Sequence, residues 1–118
     1  MLDLIIKNGQ CYIDGQLKEV NIGVKDEKIN KIGEISEEAK EIINAEGQTV
    51  LPGCIDTQTH FREPGSTDTE DLHSGSRAAI VGGITSVFEM PNTNPPTSTK
   101  AEFQRKLDLA KNRMYCNY

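Results

Sequence analysis

The sequence predicts an α/β protein in two parts: a small all-β unit over residues 1–52, then the opening βα units of a parallel sheet over residues 53–118. Two observations carry this. Up to Val50, short apolar runs are punctuated by Asn8-Gly9, Asp14-Gly15 and Glu46-Gly47, the pattern of strands joined by tight turns. Beyond Pro52-Gly53, candidate strands begin at residues 54, 84 and 114, and a strand–helix–strand unit takes about 30 residues.

Each element follows in order. Leu2 to Lys7 is apolar and β-branched, and Asn8-Gly9 reads as a hairpin turn into a strand from Gln10 to Ile13. Asp14-Gly15 is a second such turn. From Glu19 the alternation is strict, with Val20, Ile22 and Val24 on one side and Asn21, Gly23 and Lys25 on the other, as in a half-buried antiparallel strand. Asp26-Glu27-Lys28 turns the chain into Ile29–Ile32, and Ile42–Ala45 is a further strand before the turn at Glu46-Gly47. In the second part, Cys54–His60 reads as a strand. Thr67-x-x-Glu70 has capping-box spacing, so a helix is expected over Glu70–Val81, stopped by Gly82-Gly83. Ile84–Met90 is the next strand and Pro91–Pro96 a loop. Thr99-x-x-Glu102 opens a second helix, to about Asn112, and Met114–Tyr118 starts like a third strand. Two βα units cannot cover both faces of a parallel sheet, and a (β/α)8 barrel takes about 250 residues. Residues 53–118 are therefore expected to be the first strands and helices of an incomplete barrel, truncated within its third strand.

Composition narrows the function classes. A net charge of -5 argues against a nucleic-acid binder, which carries a basic patch. The densest acidic stretch, Glu34 to Glu41, is broken by Ser36, Ala39 and Lys40 and reads as a solvated turn or short helix. Cys11, Cys54 and Cys116 are odd in number and lack CxxC spacing, which speaks against a disulfide framework or a thiolate zinc site and for a reducing, cytoplasmic location. The start of the chain does not read as a signal peptide. No apolar run reaches the roughly 20 residues of a membrane span, so no membrane partner is expected.

The chemistry lies in the run from Pro52 to Gly65. Alternation places Asp56, Gln58 and His60 on one strand face and Ile55, Thr57 and Thr59 on the other. Arg62 follows the strand end. Active sites of barrels are built at the C-terminal ends of strands, which gathers Gln58, His60 and Arg62 around one pocket. Polar side chains on a buried strand are costly without partners, and a metal would supply one to His60. On residues alone, His60 reads equally as a structural histidine and as a ligand. Asp56 reads as orienting the strand, His73 as a helix-surface residue, Glu63 and Pro64-Gly65 as shaping the loop, and Asp68 and Asp71 as serving a helix N-terminus.

The same residues carry a family resemblance. Asp56-Thr57-Gln58-Thr59-His60 resembles the first barrel strand of the amidohydrolase superfamily, whose usual motif is Asp-x-His-x-His. Phe61-Arg62-Glu63-Pro64-Gly65, Ser74-Gly75-Ser76-Arg77-Ala78-Ala79, Gly82-Gly83-Ile84-Thr85 and Glu89-Met90-Pro91-Asn92-Thr93-Asn94-Pro95 resemble the dihydroorotase and allantoinase branch, in order and spacing. The resemblance implies a dihydroorotase-type cyclic amidohydrolase of which this chain is an N-terminal fragment. Residues 1–52 would be the N-terminal part of a composite β-sandwich flanking a metal-dependent TIM barrel.

Further implications come residue by residue. In dihydroorotases the Arg after the His motif and the Asn of Met-Pro-Asn bind the substrate carboxylate; the matching positions are Arg62 and Asn92. Allantoinases and dihydropyrimidinases do not generally carry that pair. A guanidinium offers a planar fork to a carboxylate and a carboxamide adds neutral donors. One or two divalent metals per full-length chain, zinc as a rule, are implied, with His60 a ligand. Gln58 replaces the usual first histidine of the motif, and a carboxamide oxygen is a weaker ligand than imidazole. The implied reaction is reversible hydrolysis of dihydroorotate to N-carbamoyl-aspartate in pyrimidine synthesis. Its carboxylated lysine, further histidines and catalytic aspartate would lie beyond Tyr118, so no catalytic residue is expected within this stretch, and the stretch alone is expected to be inactive. The expected partner is a small-molecule substrate, with a homodimer or a transcarbamoylase partner in the full-length form. Two other readings stand beside this one: a non-catalytic pseudo-dihydroorotase subunit, and an allantoinase or other cyclic amidase.

Overall fold

One long strand organises the first half of the computed structural model, which describes residues 1–118 and divides into units Met1–Pro52 and Gly53–Tyr118. In the first unit, β1 (Leu2–Ile13) pairs antiparallel with β2 (Gln16–Lys25), and β2 pairs antiparallel with β3 (Lys28–Gly33). On its other side β1 pairs in parallel with β4 (Ala39–Asn44) and, further along, with β5 (Thr49–Val50). Leu2, Ile5, Cys11, Ile22 and Ala45 are buried on this one sheet. Ile29, Ile32, Ile42 and Ile43 of the outer strands stay exposed.

The expected hairpin at Asn8-Gly9 does not form. Ile6 stands opposite Ile22 and Gly9 opposite Val20, so β1 carries one extra residue there and continues as a bulged strand. Asn8 takes the left-handed conformation, φ 62°, its N–H donates to Asn21 Oδ1 (3.3 Å) and its Nδ2 to Asn44 Oδ1 (2.9 Å). A Cβ on Gly9 would lie 2.7 Å from Val50 Cγ2 and 3.0 Å from Ala45 Cβ. The glycine thus admits a crossing chain, where the sequence pattern reads as a turn. Asp14-Gly15 does turn the chain, with Ile13 paired to Gln16 and positive φ at both residues, as a two-residue hairpin requires. Asp26-Glu27 repeats that geometry.

In the second unit β6 (Cys54–Thr59) and β7 (Ile84–Glu89) lie in parallel, joined through α1 (Leu72–Val81), and β7 is followed by α2 (Lys100–Ala110). The expected third strand is a single parallel bridge, Ser86 with Asn117, closed by Val87 N–H to Asn117 O and Asn117 N–H to Thr85 O, both 2.9 Å. Phe61, Leu72, Val87, Ala110 and Cys116 form the core between strands and helices, with Ala79, Ile84, Leu109 and Met114 against it.

Helix α1 begins two residues later than the sequence predicts. Asp71 caps it: its carboxylate accepts from Ser74 N–H at 2.6 Å, and Ser74 Oγ accepts from Asp71 N–H at 3.1 Å. The capping box is therefore Asp71/Ser74 rather than Thr67/Glu70. Residues 66–70 are held in turns, with Thr69 and Glu70 N–H both directed at Ser66 O. For α2 half of the expected capping box forms: Thr99 Oγ1 accepts from Glu102 N–H at 3.2 Å, while the Glu102 carboxylate faces Arg105 Nη1 at 3.6 Å rather than returning to Thr99 N–H. It ends at Ala110, since Lys111 leaves helical geometry at ψ 123°.

Candidate functional site

The C-terminal ends of β6 and β7 are stitched together. Met90 N–H donates to Thr59 O (2.9 Å) and Thr59 Oγ1 to Phe88 O (3.1 Å). The segments that leave these ends, from His60 and from Pro91, therefore start side by side. His60 Nδ1 lies 2.8 Å from Asn92 Oδ1. A carboxamide oxygen only accepts, so Nδ1 donates in this pair, and in the neutral ring Nε2 is the nitrogen left with a lone pair. Asn92 retains its amide N–H donors.

Strand β6 is not regular where the motif lies. Asp56 stands opposite Val87 and Thr59 opposite Glu89, so three steps of β6 run against two of β7, a bulge. The strict alternation expected for Asp56, Gln58 and His60 does not apply across it. Asp56 Oδ1 accepts the Gln58 N–H at 2.9 Å, which gives Asp56 a local, strand-shaping task. Gln58, His60 and Arg62 are all exposed. Arg62 enters no ion pair within the chain, which leaves its guanidinium fork open.

The loop after His60 is held from beneath. Phe61 and Glu63 are buried and Arg62 between them is exposed, an in-out-in pattern that turns Arg62 outward. Glu63 Oε1 and Oε2 accept from Arg113 Nη1 and Nη2 at 2.7 and 2.9 Å, and Oε2 also accepts Leu72 N–H at 3.0 Å. The Arg113 guanidinium holds the Glu63 carboxyl below the usual carboxylate range; burial opposes this, and the Leu72 N–H adds to it. Asn94 N–H donates to Pro64 O (3.0 Å). Gly65 has φ 116°, and a Cβ there would lie 2.6 Å from Asn94 O, so the two loops touch where only glycine fits.

A second buried polar group was not visible in the sequence. Glu89 Oε2 receives Tyr118 Oη at 2.6 Å and lies 3.2 Å from Lys106 Nζ. Its Oε1 is buried without a partner. Burial pushes the Glu89 carboxyl up, against the pull of Tyr118 and Lys106. The only sequence signal was a lysine on the inner face of α2.

For a metal, this chain offers one end of a coordination sphere. Its His, Cys, Asp and Glu side chains do not gather in threes. An imidazole with an open Nε2 and its Nδ1–H held by a fixed acceptor is nonetheless the arrangement of a metal ligand and its outer partner. The donor set fits one metal bond from His60, with the Gln58 carboxamide oxygen the other candidate on the same strand.

Comparison with known proteins identifies the family. The model of the amidohydrolase family matches residues 49–117. The chain is 43% identical over 113 residues to the allantoinase of Escherichia coli O1:K1 / APEC, covering 95% of this chain and 25% of that protein. Its fold matches L-hydantoinase (dihydropyrimidinase) from Arthrobacter aurescens with a TM-score of 0.89 and 34% identity, over 98% of this chain and 26% of that one. It also matches N-acyl-D-glutamate deacylase from Bordetella bronchiseptica, solved with zinc and a phosphonate inhibitor, at TM-score 0.58 and 28% identity, over 73% of this chain and 18% of that one. The chain thus spans about a quarter of the length of the curated relatives it matches. Its mixed sheet and parallel βα units correspond to the N-terminal portion of hydantoinase-type TIM-barrel enzymes. Family match, identity and fold agree: the chain belongs to the amidohydrolase family, on its cyclic-amidohydrolase branch.

Proposed function

We propose that the full-length protein is a metal-dependent hydrolase that opens a cyclic amide at a ring C–N bond. The observation that carries this is the His60–Asn92 contact at adjacent strand ends, which engages Nδ1 and Oδ1 and leaves the imidazole Nε2 and the carboxamide N–H donors of two exposed residues without a partner in the chain. A bound divalent metal, zinc in our reading, supplies a water of lowered pKa and polarises the ring carbonyl. The chain's own residues do the rest of what this segment contributes. His60 offers one ligand nitrogen, and Asn92 Oδ1 fixes its tautomer. Gln58 offers a weaker oxygen. Arg62, open and exposed, binds a substrate carboxylate together with the Asn92 amide N–H. The group that moves the proton lies outside this stretch.

On substrate, the Arg62 and Asn92 pair favours a ring bearing a carboxylate, hence dihydroorotate opening to N-carbamoyl-aspartate in pyrimidine synthesis. Allantoin is the second reading, favoured by the 43% identity to an allantoinase. The enzyme is proposed to act in the cytoplasm on a small molecule, as a homodimer or beside a transcarbamoylase. The test is an assay of zinc-loaded full-length protein on dihydroorotate, allantoin and hydantoin. Turnover led by dihydroorotate is expected. Turnover of allantoin alone moves the substrate to the second reading, and inertness on all three with no retained metal makes the protein a non-catalytic subunit.

A further inference from the structure

We infer that Glu63 and Arg113 form a clasp that positions the His60–Arg62 segment, so that both are positioning residues of the site; for its consequence on catalysis this rests on the function proposed above. Glu63 is 7% exposed, and its two oxygens take three donors, two from the Arg113 guanidinium and one from Leu72 N–H. Leu72 is the first residue of α1. Arg113 follows α2 and also donates to Leu109 O at 3.0 Å. One carboxylate thereby ties the loop after β6 to the start of one helix and the end of the next.

The loop's other charged contact, Asp71 Oδ2 at 3.8 Å from Arg113 Nη2, is longer and runs to the same guanidinium. Phe61 fixes it by packing, which tolerates sliding, whereas a bidentate fork fixes direction as well as distance. From the other side Asn94 N–H holds Pro64 O. Arg62 and His60 lie between these attachments, and their side chains are exposed. The placement of both therefore depends on a carboxylate that itself points away from them into the unit.

The test uses the full-length protein with Glu63→Gln, Arg113→Lys and the double variant. Ile5→Val, in the other unit, serves as a control that lowers stability alone. Gln keeps the shape and an acceptor for Leu72, and Lys keeps the charge, so folding is retained while the fork is lost. Two readouts are taken: amide hydrogen exchange over residues 61–66, and KM and kcat on the cyclic amide that turns over. Each single variant is expected to speed exchange in that loop and to raise KM by about ten- to a hundredfold, with a smaller fall in kcat. The double variant is expected to be no worse than the worse single one, because the pair acts as a unit. Loop exchange or KM matching the Ile5→Val control, or additive losses in the double variant, would overturn the inference. If the wild-type protein opens no cyclic amide, the proposed function falls, and loop exchange alone then decides the clasp.

Discussion

At the residue scale, the site rests on two open side chains and one shared hydrogen bond. Asn92 gives its oxygen to His60 Nδ1–H, so only its N–H donors remain for a ligand, and a carboxylate is what such donors and the Arg62 fork jointly suit. In the full-length protein, Arg62→Ala and Asn92→Ala should each weaken a carboxylate-bearing ring by about 2–5 kcal/mol and a carboxylate-free ring by much less. Steady-state kinetics on both ring types measures this, and equal losses would reduce both residues to loop-shaping. Asn92→Ala should in addition loosen metal retention at His60, since it removes the acceptor that fixes the tautomer. The two buried carboxylates give opposite pH behaviour. Glu63 titrates below its ordinary 4.5, so its stabilisation is present above that value and lost as pH falls through the folded pKa. Glu89 titrates above its ordinary 4.5, so its stabilisation is present below that value and lost as pH rises through the folded pKa. Urea unfolding from about pH 3 to about pH 7 should show Glu63→Gln flattening the acid limb and Glu89→Gln flattening the limb above it. Of these residues His60, Gln58, Arg62 and Asn92 were legible in the sequence, because each sits at a strand end in a recognisable run. The partner of Glu63 was not, since Arg113 stands 50 residues away and no local pattern announces a long-range ion pair.

At the element scale, sequence pattern located strands and helices well and their junctions less well. The reason differs by junction. Asn-Gly tolerates left-handed backbone in a hairpin turn and in a bulge alike, so Asn8-Gly9 reads as a turn until Val50 and Ala45 are seen to crowd Gly9. The region before α1 offers two polar pairs at capping distance, Thr67/Glu70 and Asp71/Ser74. The turn anchored on Ser66 O takes up the first pair, and Asp71 is left to cap. Parallel pairing of β4 with β1 has no signature in local alternation at all. Asp71→Ala should therefore cost about 1 kcal/mol of stability, read as a lower urea midpoint, while Thr67→Ala should leave it near wild type. The reverse order would restore the box at Thr67. The bulge in β6 matters most for function: it lets Asp56 hold the Gln58 amide and so breaks the even spacing assumed for Asp56, Gln58 and His60.

At the scale of the whole molecule, the chain spans about a quarter of the length of its curated relatives, and the proposed site would draw its other groups from outside these residues. That division makes the Gln58 position informative. Imidazole binds zinc strongly, whereas a carboxamide oxygen suits harder ions and binds zinc weakly. Among the side chains of this strand end, only His60 has an open nitrogen. A metal position that draws on β6 should then be held more loosely than one whose ligands come from elsewhere in the full-length protein. We expect one metal retained through extensive dialysis and a second lost in part or entirely. Gln58→His should raise occupancy of the loose position, because it restores the nitrogen donor that the family motif carries there. His60→Ala should lower it further, and Asn92→Ala should act in the same direction but less strongly, through the His60 tautomer. Metal content by atomic absorption, on wild type and the three variants, reads all of this without any turnover. Two tightly held metals in wild type would show that Gln58 binds as well as histidine or that another strand replaces it. Occupancy unchanged by Gln58→His would show that the bulge at Asp56 carries residue 58 away from the metal altogether.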